Sequence, residues 1–596
     1  MERYWDCSLC RIEPKGKALR CRTCSGKLRG RERLLHEIAL ERRLRPKGAW
    51  LSLVAAGAGQ MYQRRWATGV LFAILLPLAI GLVLAVWNGF SYGHLFLVGT
   101  AGFVLAVAWA DARWGPTTPH PPCQDACPAR VPIPDYLQLI LDGDPDQGHA
   151  LARTRLPLVG VIGRICPHPC ETHCVRGIDG EPIAINGCKR FMADQVRARR
   201  PEAGPSKVVH LDGGALRVAV VGSGPAGLSC AYFLSVLGAS VTVYEADEVL
   251  GGRLATTIPD YRLPPYILDE ELAELRGRGI AFRTGAPVGP GGKAVADLLR
   301  DHDGVFLAVG AARSVALTIP GAELCIDFQE VLRASKGRAA PRLGRRVVVV
   351  GGGNAAMDVC RTALRLGAEE VHLLYRRTRD EMPARPEEVE EALREGVRFH
   401  FLADPVEVRP GSEGLEVEVR TMELGPPDES GRPRPMPVEG RNWVLAADTV
   451  VPALGQTVES PVFSDPALQG LRRERDGRIR VDPRTQRTSL ERVYAGGDAV
   501  AGPSTAVEAM AQGRRAALGM YADLAREALP VMRLRDRRLR HPFPGHRETP
   551  EARIREEMPK LAGRLRKEGF REVELGFNPA AARREAGRCL QCHREL

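Results

Sequence analysis

The chain has 596 residues, and 84 Lys and Arg against 72 Asp and Glu give it a formal charge of +12; that length holds several domains. The basic residues are spread along it with no stripe interleaved with aromatics, which argues against a nucleic-acid partner and leaves anionic lipid as the better match for the charge. Fifteen cysteines in close-spaced sets, without a cleavable signal peptide, favour metal or cluster ligation over disulfides and point to a reducing compartment.

The first set, Cys7, Cys10, Cys21 and Cys24, forms two Cys-x-x-Cys knuckles that can bring four thiolates to one tetrahedral ion. Zinc is the usual occupant of such a closed site, and a rubredoxin-like iron site is the alternative. The Arg- and Leu-rich run from Arg29 to Lys47 reads as a basic amphipathic helix on a membrane surface. Residues 1–47 are thus expected to form a zinc-ribbon-like module with a basic helix. Between Ala67 and Ala110 there is no Lys, Arg, Asp or Glu, and the runs 67–87 and 93–110 are each about long enough to cross a bilayer. Trp50, Trp66, Trp87, Trp109 and Trp114 flank them as an interfacial belt would. The expectation is a membrane anchor over 48–112, with Leu51 to Gly59 re-entrant or interfacial. Arg64, Arg65 and Arg113 place both ends on the cytoplasmic side of an inner membrane.

A proline-rich linker, 113–122, leads to Cys123, Cys127 followed by Pro128, and then Cys166, Cys170 and Cys174. Close-spaced cysteines beside proline suit an iron-sulfur cluster, because several thiolates must converge on one cube from loops, with zinc as the alternative. A helical iron-sulfur domain is expected over 123–212.

From Arg217 the sequence RVAVVGSGPAGLSCAYFLSVLGASVTVYE predicts a strand, a tight turn, a helix and a second strand. Gly222 makes the turn, Gly224 lets the backbone approach a pyrophosphate, and Gly227 allows close helix packing, with Glu245 placed to accept from a ribose hydroxyl. A second copy begins at Arg346, with Gly351, Gly353 and Ala356 in the small positions, and ends in Tyr375, Arg376 and Arg377 instead of an acid. Guanidinium forks suit a 2′-phosphate, so the first unit is assigned FAD and the second NADPH. The segments are 213–325 and 456–528 for FAD, with 326–455 for NADPH.

The order Cys123-x3-Cys127-Pro128, Gly163-Arg164-x-Cys166-Pro167, Cys170-Glu171, Cys174, Pro182-Ile183 and Phe191, followed by the two nucleotide units, resembles the small subunit of bacterial glutamate synthase. The amino-terminal half of dihydropyrimidine dehydrogenase is similar. The resemblance covers about Cys123 onward. It implies an α/β chain: two Rossmann-like domains, the NADPH domain inserted in the FAD domain, behind an α-helical iron-sulfur domain. Ahead of these stand the zinc-ribbon-like module and the transmembrane helical hairpin. It implies FAD contacts at Gly222, Ser223, Gly224, Pro225, Ala226, Gly227, Glu245, Ala246, Gly252, Arg253 and Leu254, and at Gly497, Asp498, Thr505 and Ala506. NADPH contacts are implied at Gly351, Gly353, Asn354, Ala355, Ala356, Arg376 and Arg377. Thr257 departs from the family, which usually has glycine there, and nothing like the large amidotransferase subunit is present. Thioredoxin reductases share the two-nucleotide plan but carry a Cys-x-x-Cys in the NADPH domain, where this chain has only Cys360.

The tail, 529–596, ends in Glu585-Ala-Gly-Arg588-Cys589-Leu-Gln-Cys592. In the dehydrogenase half a similar stretch directly precedes the Cys-x3-Cys-Pro element. With Cys123, Cys127, Cys170 and Cys174 taken as one 4Fe-4S set, the tail is expected to fold back and bring Cys589 and Cys592 to Cys166 in a second cluster, with Cys188 as fourth ligand. The chain then reads as a membrane-anchored oxidoreductase passing electrons from NADPH through FAD to clusters and on to a partner protein or quinone, with no general acid or base. Alternatives are a glutamate synthase-type donor to a separate large subunit, or a non-catalytic redox-sensing scaffold.

Overall fold

The structure is a computed structural model and describes residues 121–178, 180–199, 216–337, 341–428, 431–525 and 554–592. Its first body is helical, built from short segments: Pro122–Asp125, Ile133–Leu141, Pro145–Arg153, Val159–Ile165, Pro169–Thr172 and the longer Ile185–Arg199. Four of these helices carry proline in the first turn, where no N–H bond is lost and the fixed φ favours a start. Frequent starts and stops leave the cysteines at helix ends and in loops. The tail completes this body, because helix Pro579–Gly587 packs on Ile133–Leu141 and Ile185–Arg199. Fully buried Glu585 accepts from the Ala184 N–H at 2.6 Å, Arg176 donates to the Arg588 carbonyl at 3.1 Å, and Gln591 donates to the Pro134 carbonyl at 2.9 Å.

Next to it lies a parallel sheet with strand order Val493–Ala495, Gly304–Leu307, Arg217–Val221, Ser240–Tyr244, Ala281–Arg283. Val218 to Val221 are all buried, as a central parallel strand covered on both faces requires. The chain leaves this sheet after Leu307 and returns at Val493. In between it builds a second parallel sheet, Thr449–Pro452, Arg346–Val350, Glu370–Tyr375, Arg398–Phe401. The crossing out, Arg313–Ser314, and the crossing back, Gln456–Thr457, pair antiparallel. An antiparallel sheet of Ala403–Gly411, Gly414–Pro427 and Pro433–Ala447 is added to the inserted domain.

Buried ions fix the three bodies to one another. Arg262 of the first nucleotide domain holds Asp358 at 2.8 Å and Glu388 at 3.4 Å in the second. Arg361 holds Glu388 at 2.7 Å, and Tyr261 lies under Arg361 and Arg365. Burial alone would raise the Glu388 carboxyl, but Arg262, Arg361 and Arg385 bring it down to about 2. Glu271 is the opposite case. It accepts from the Gly160 and Val161 N–H groups at 2.7 and 3.2 Å, tying the first nucleotide domain to the helical body, and burial pushes its carboxyl up to about 7 despite those bonds.

The transmembrane hairpin expected over 67–87 and 93–110 is not supported. Among the described residues no helix is long and apolar enough to cross a membrane. Even Ala506–Leu524, at 19 residues, carries Glu508, Arg514, Arg515 and Asp523, charges that fit a helix packed on a globular body. The two apolar runs themselves, the basic helix and Cys7, Cys10, Cys21 and Cys24 lie outside the described residues. The multi-pass inner-membrane location drawn from the hairpin falls with it.

Candidate active site

Both nucleotide motifs form the same strand, turn and helix. Gly222 has φ 99°, and a Cβ there would stand 2.5 Å from the Ala308 carbonyl oxygen. Gly351 has φ 139°, with the Ala453 oxygen 2.4 Å from such a Cβ. Only glycine fits either turn. The middle glycines differ in kind, since Gly224 and Gly353 face open space with nothing within 4 Å of a Cβ. The bare backbone is therefore presented to whatever fills the cavity, at the start of helices Pro225–Val236 and Asn354–Arg365. That is the geometry a pyrophosphate needs.

The two motifs open into one cavity of about 1420 Å³. Every residue expected at the flavin lines it except Gly227, and every residue expected at NADPH except Ala356. Those two are buried under the turns instead: a Cβ on Gly227 would stand 2.0 Å from the Gly222 oxygen, and Ala356 is fully buried. At the end of the second strand Glu245 accepts from the Ser223 N–H at 2.9 Å, the Ser223 hydroxyl at 2.5 Å and the Asp247 N–H at 3.0 Å. Burial raises the Asp498 carboxyl, while Ser504 and Arg253 oppose the rise. The helix Ala506–Leu524, capped by the Thr505 side chain at the Glu508 N–H, begins on this wall. Thr257 also lines it, its hydroxyl donating to the Arg253 carbonyl at 3.3 Å.

The two arginines of the second motif part company. Arg376 is exposed and lines the cavity. Arg377 also lines it but is 4% exposed, with its Nε on the Pro433 carbonyl and its fork on Asp428, both at 2.8 Å. It therefore fastens the turn between the long strands Gly414–Pro427 and Pro433–Ala447, and that turn brings Arg432 to the cavity wall. Sequence reading had no signal for Arg432, which lies in a hairpin far along the chain. It also missed Arg385, which lines the cavity between the domains.

All the described cysteines are free thiols. Cys123, Cys127, Cys166, Cys170, Cys174, Cys188 and Cys589 are buried, and Cys592 is half-buried. The tail thiols lie within electrostatic reach of the thiols of the helical body. Burial raises Cys123, and the thiols that raise it further are Cys589, Cys174, Cys170 and Cys592. Burial likewise raises Cys589, and there the thiols are Cys592 and Cys174. Cys127 and Cys170, both raised first by burial, instead feel Cys166, and Cys170 also feels Cys127. The tail thiols thus act on Cys123, and Cys166 acts on Cys127 and Cys170. Cys188, fully buried, is raised by burial, then by Glu585 and Glu171, with Cys589 as its nearest thiol influence.

Buried thiols held above their ordinary pKa make poor free nucleophiles. Among the described residues no three His, Cys, Asp or Glu side chains come close enough for a single metal ion. A four-iron cube is larger than one ion and takes its four sulfurs farther apart. Cys360, in the core of the second domain, is fully buried and burial raises its thiol.

Two nucleotide grooves on one cavity beside a body of clustered thiols define a flavin- and nicotinamide-dependent oxidoreductase. The comparisons agree. The profile of the pyridine nucleotide-disulphide oxidoreductases matches residues 216–513, and that of dihydropyrimidine dehydrogenase domain II, 4Fe-4S cluster, matches 104–201. The second match reaches back into the apolar run 93–110. The beta subunit of an NADP(+)-dependent formate dehydrogenase from Moorella thermoacetica is 41% identical over 503 residues, 79% of this chain and 70% of its own length. The beta subunit of an NADPH-Fe(3+) oxidoreductase from Geobacter sulfurreducens is 36% identical over 79% of this chain and 75% of its own. A glutamate synthase [NADPH] small chain from Halomonas elongata is 33% identical over 68% of this chain and 89% of its own. The chain belongs to the glutamate synthase small chain-like family of NADPH-dependent FAD/iron-sulfur oxidoreductases.

Proposed function

We propose that the chain is the electron-input subunit of a larger assembly, taking electrons from NADPH at the second groove and delivering them through FAD and two 4Fe-4S clusters to a partner protein. The observation that carries this reading is the single cavity. It is lined by both glycine turns and by Ile165 and Pro167, the neighbours of Cys166, so the nucleotide grooves and the thiol body share one space. When bound, the flavin supplies the change from hydride acceptance to single-electron release, and the clusters supply the exit.

The residues hold and orient these groups. Gly222, Gly224 and the helix start at Pro225 receive the FAD pyrophosphate, and Glu245 accepts from its ribose. Gly351, Gly353, Asn354 and Ala355 do the same for NADPH, with Arg376 and Arg432 as the pair of forks for the 2′-phosphate and Arg377 positioning Arg432. One cluster takes Cys123, Cys174, Cys589 and Cys592, and the other takes Cys127, Cys166 and Cys170. Relatives named as beta subunits and a small chain favour a separate catalytic subunit as the acceptor. Anaerobic addition of NADPH should bleach the flavin and develop reduced-cluster signals in electron paramagnetic resonance. Copurification from its source should then show a partner that reoxidises both. A flavin that bleaches while no cluster signal appears defeats the proposal.

A further inference from the structure

Arg385 stands where the second nucleotide motif meets the thiol body. Its backbone N–H donates to the Asn354 side-chain oxygen at 3.0 Å, and Asn354 is the first residue of the helix behind the Gly351 turn. The guanidinium reaches the other way. One terminal nitrogen donates to the Cys166 carbonyl at 3.0 Å and lies 3.0 Å from His168 Nε2, and the other donates to Glu388 at 2.8 Å. The side chain lines the cavity, and its Nε is buried without a partner. A guanidinium keeps its proton in a protein, so a full positive charge is fixed against the backbone of a cysteine in the second thiol group. Glu388 does not cancel it alone, being shared with Arg262 and Arg361.

Net charge and hydrogen bonding around the ligands set the potential of an iron-sulfur cluster. A cation held there favours the form carrying the extra electron. We propose that Arg385 is a positioning residue that couples occupancy of the NADPH groove to the reduction potential of the cluster held by Cys127, Cys166 and Cys170, an inference that rests on the reading of the thiols above. Nucleotide phosphate settling at the helix start bears on Asn354, Asn354 holds the Arg385 backbone, and the Arg385 fork holds the Cys166 loop. Filling the groove therefore changes how firmly the charge is set against the cluster.

The test uses the full chain, purified without oxygen, in redox titrations followed by electron paramagnetic resonance. The probe for the groove is 2′,5′-ADP, which binds as the nucleotide's adenosine half and carries no electrons. The expected wild-type result is that the probe moves one cluster midpoint and leaves the other. Arg385→Gln should lower that same midpoint and abolish the response. Arg385→Lys, which keeps the charge and loses the fork, should keep the midpoint near wild type and lose most of the response. If Arg385→Gln fails to hold iron, the wild-type and Arg385→Lys titrations decide. Cluster signals present in the wild type but unmoved by the probe overturn the coupling alone. An Arg385→Gln chain with an intact cluster at the wild-type potential does so too. A wild-type chain with no cluster signal overturns the thiol reading and the coupling with it.

Discussion

The two nucleotide units are near copies up to the third small position, and they diverge there and at the end of the second strand. In the first unit the third position is Gly227, with no room for a methyl group, and in the second it is Ala356, already carrying one. The strand ends are Glu245, held by Ser223 and Asp247, and Arg376, exposed to the cavity. The turn is thus common machinery for phosphate, and the choice of nucleotide is left to one or two side chains beyond it.

The largest expected effect breaks the comparison at the third position. Gly227→Ala should cost about 3 kcal/mol or more, since its Cβ would stand 2.0 Å from the Gly222 oxygen, and the purified chain should lack flavin absorbance. A Gly227→Ala chain with full flavin and an unchanged melting temperature would show that the helix has slack there.

The attachments of the two units should separate with pH. Glu271, raised from an ordinary 4.5 to about 7, contributes stability that is present below pH 4.5 and lost as pH rises to 7. Glu388, lowered to about 2, contributes stability present above 4.5 and lost as pH falls towards 2. Relative to Glu271→Gln, the wild type should lose up to about 3 kcal/mol between these limits. Relative to Glu388→Gln it should lose a similar amount in acid. Denaturant titrations of both variants across pH check the opposite signs, and parallel curves would refute the assignment.

At the strand end, Arg376→Ser and Arg432→Ser should each weaken NADPH binding roughly tenfold to a hundredfold, equivalent to about 1.5 to 3 kcal/mol, and leave NADH binding unchanged. Equal wild-type turnover with NADH and NADPH would contradict the role of the forks. The smallest effect sharpens the contrast: Ala356→Gly, making the second unit like the first, should cost only about 1 kcal/mol of helix propensity, with nucleotide binding retained in calorimetry.

What could be read from the sequence follows the range of the forces involved. The glycine turns and Glu245 were legible because strand, turn and helix are set by neighbours in the chain. Arg377 was not legible as a fastener. Successive residues at a strand end point to opposite sides, so adjacent arginines do different work, and the partner Asp428 comes from a hairpin outside the motif. The iron-sulfur domain was legible from cysteine spacing, but which thiols the tail approaches depends on which helix ends it reaches. The apolar runs 67–87 and 93–110 misled because hydropathy records only that a segment avoids water. Nothing in it distinguishes a span from other apolar segments, and the 4Fe-4S profile reaches into the second run.

The return of the tail also sets an order of events during synthesis. Arg176 and the Arg588 carbonyl it binds are 412 residues apart. At roughly 5 to 20 residues per second, roughly 20 to 80 s pass between them on the ribosome. Through that interval the helical body waits for Glu585 to reach Ala184 and for Cys589 and Cys592 to reach Cys123, while both nucleotide domains emerge and fold. A chain that stalls in the second nucleotide domain therefore leaves thiols and the apolar bed of helix Pro579–Gly587 uncovered. Such a chain is open to proteases and chaperones.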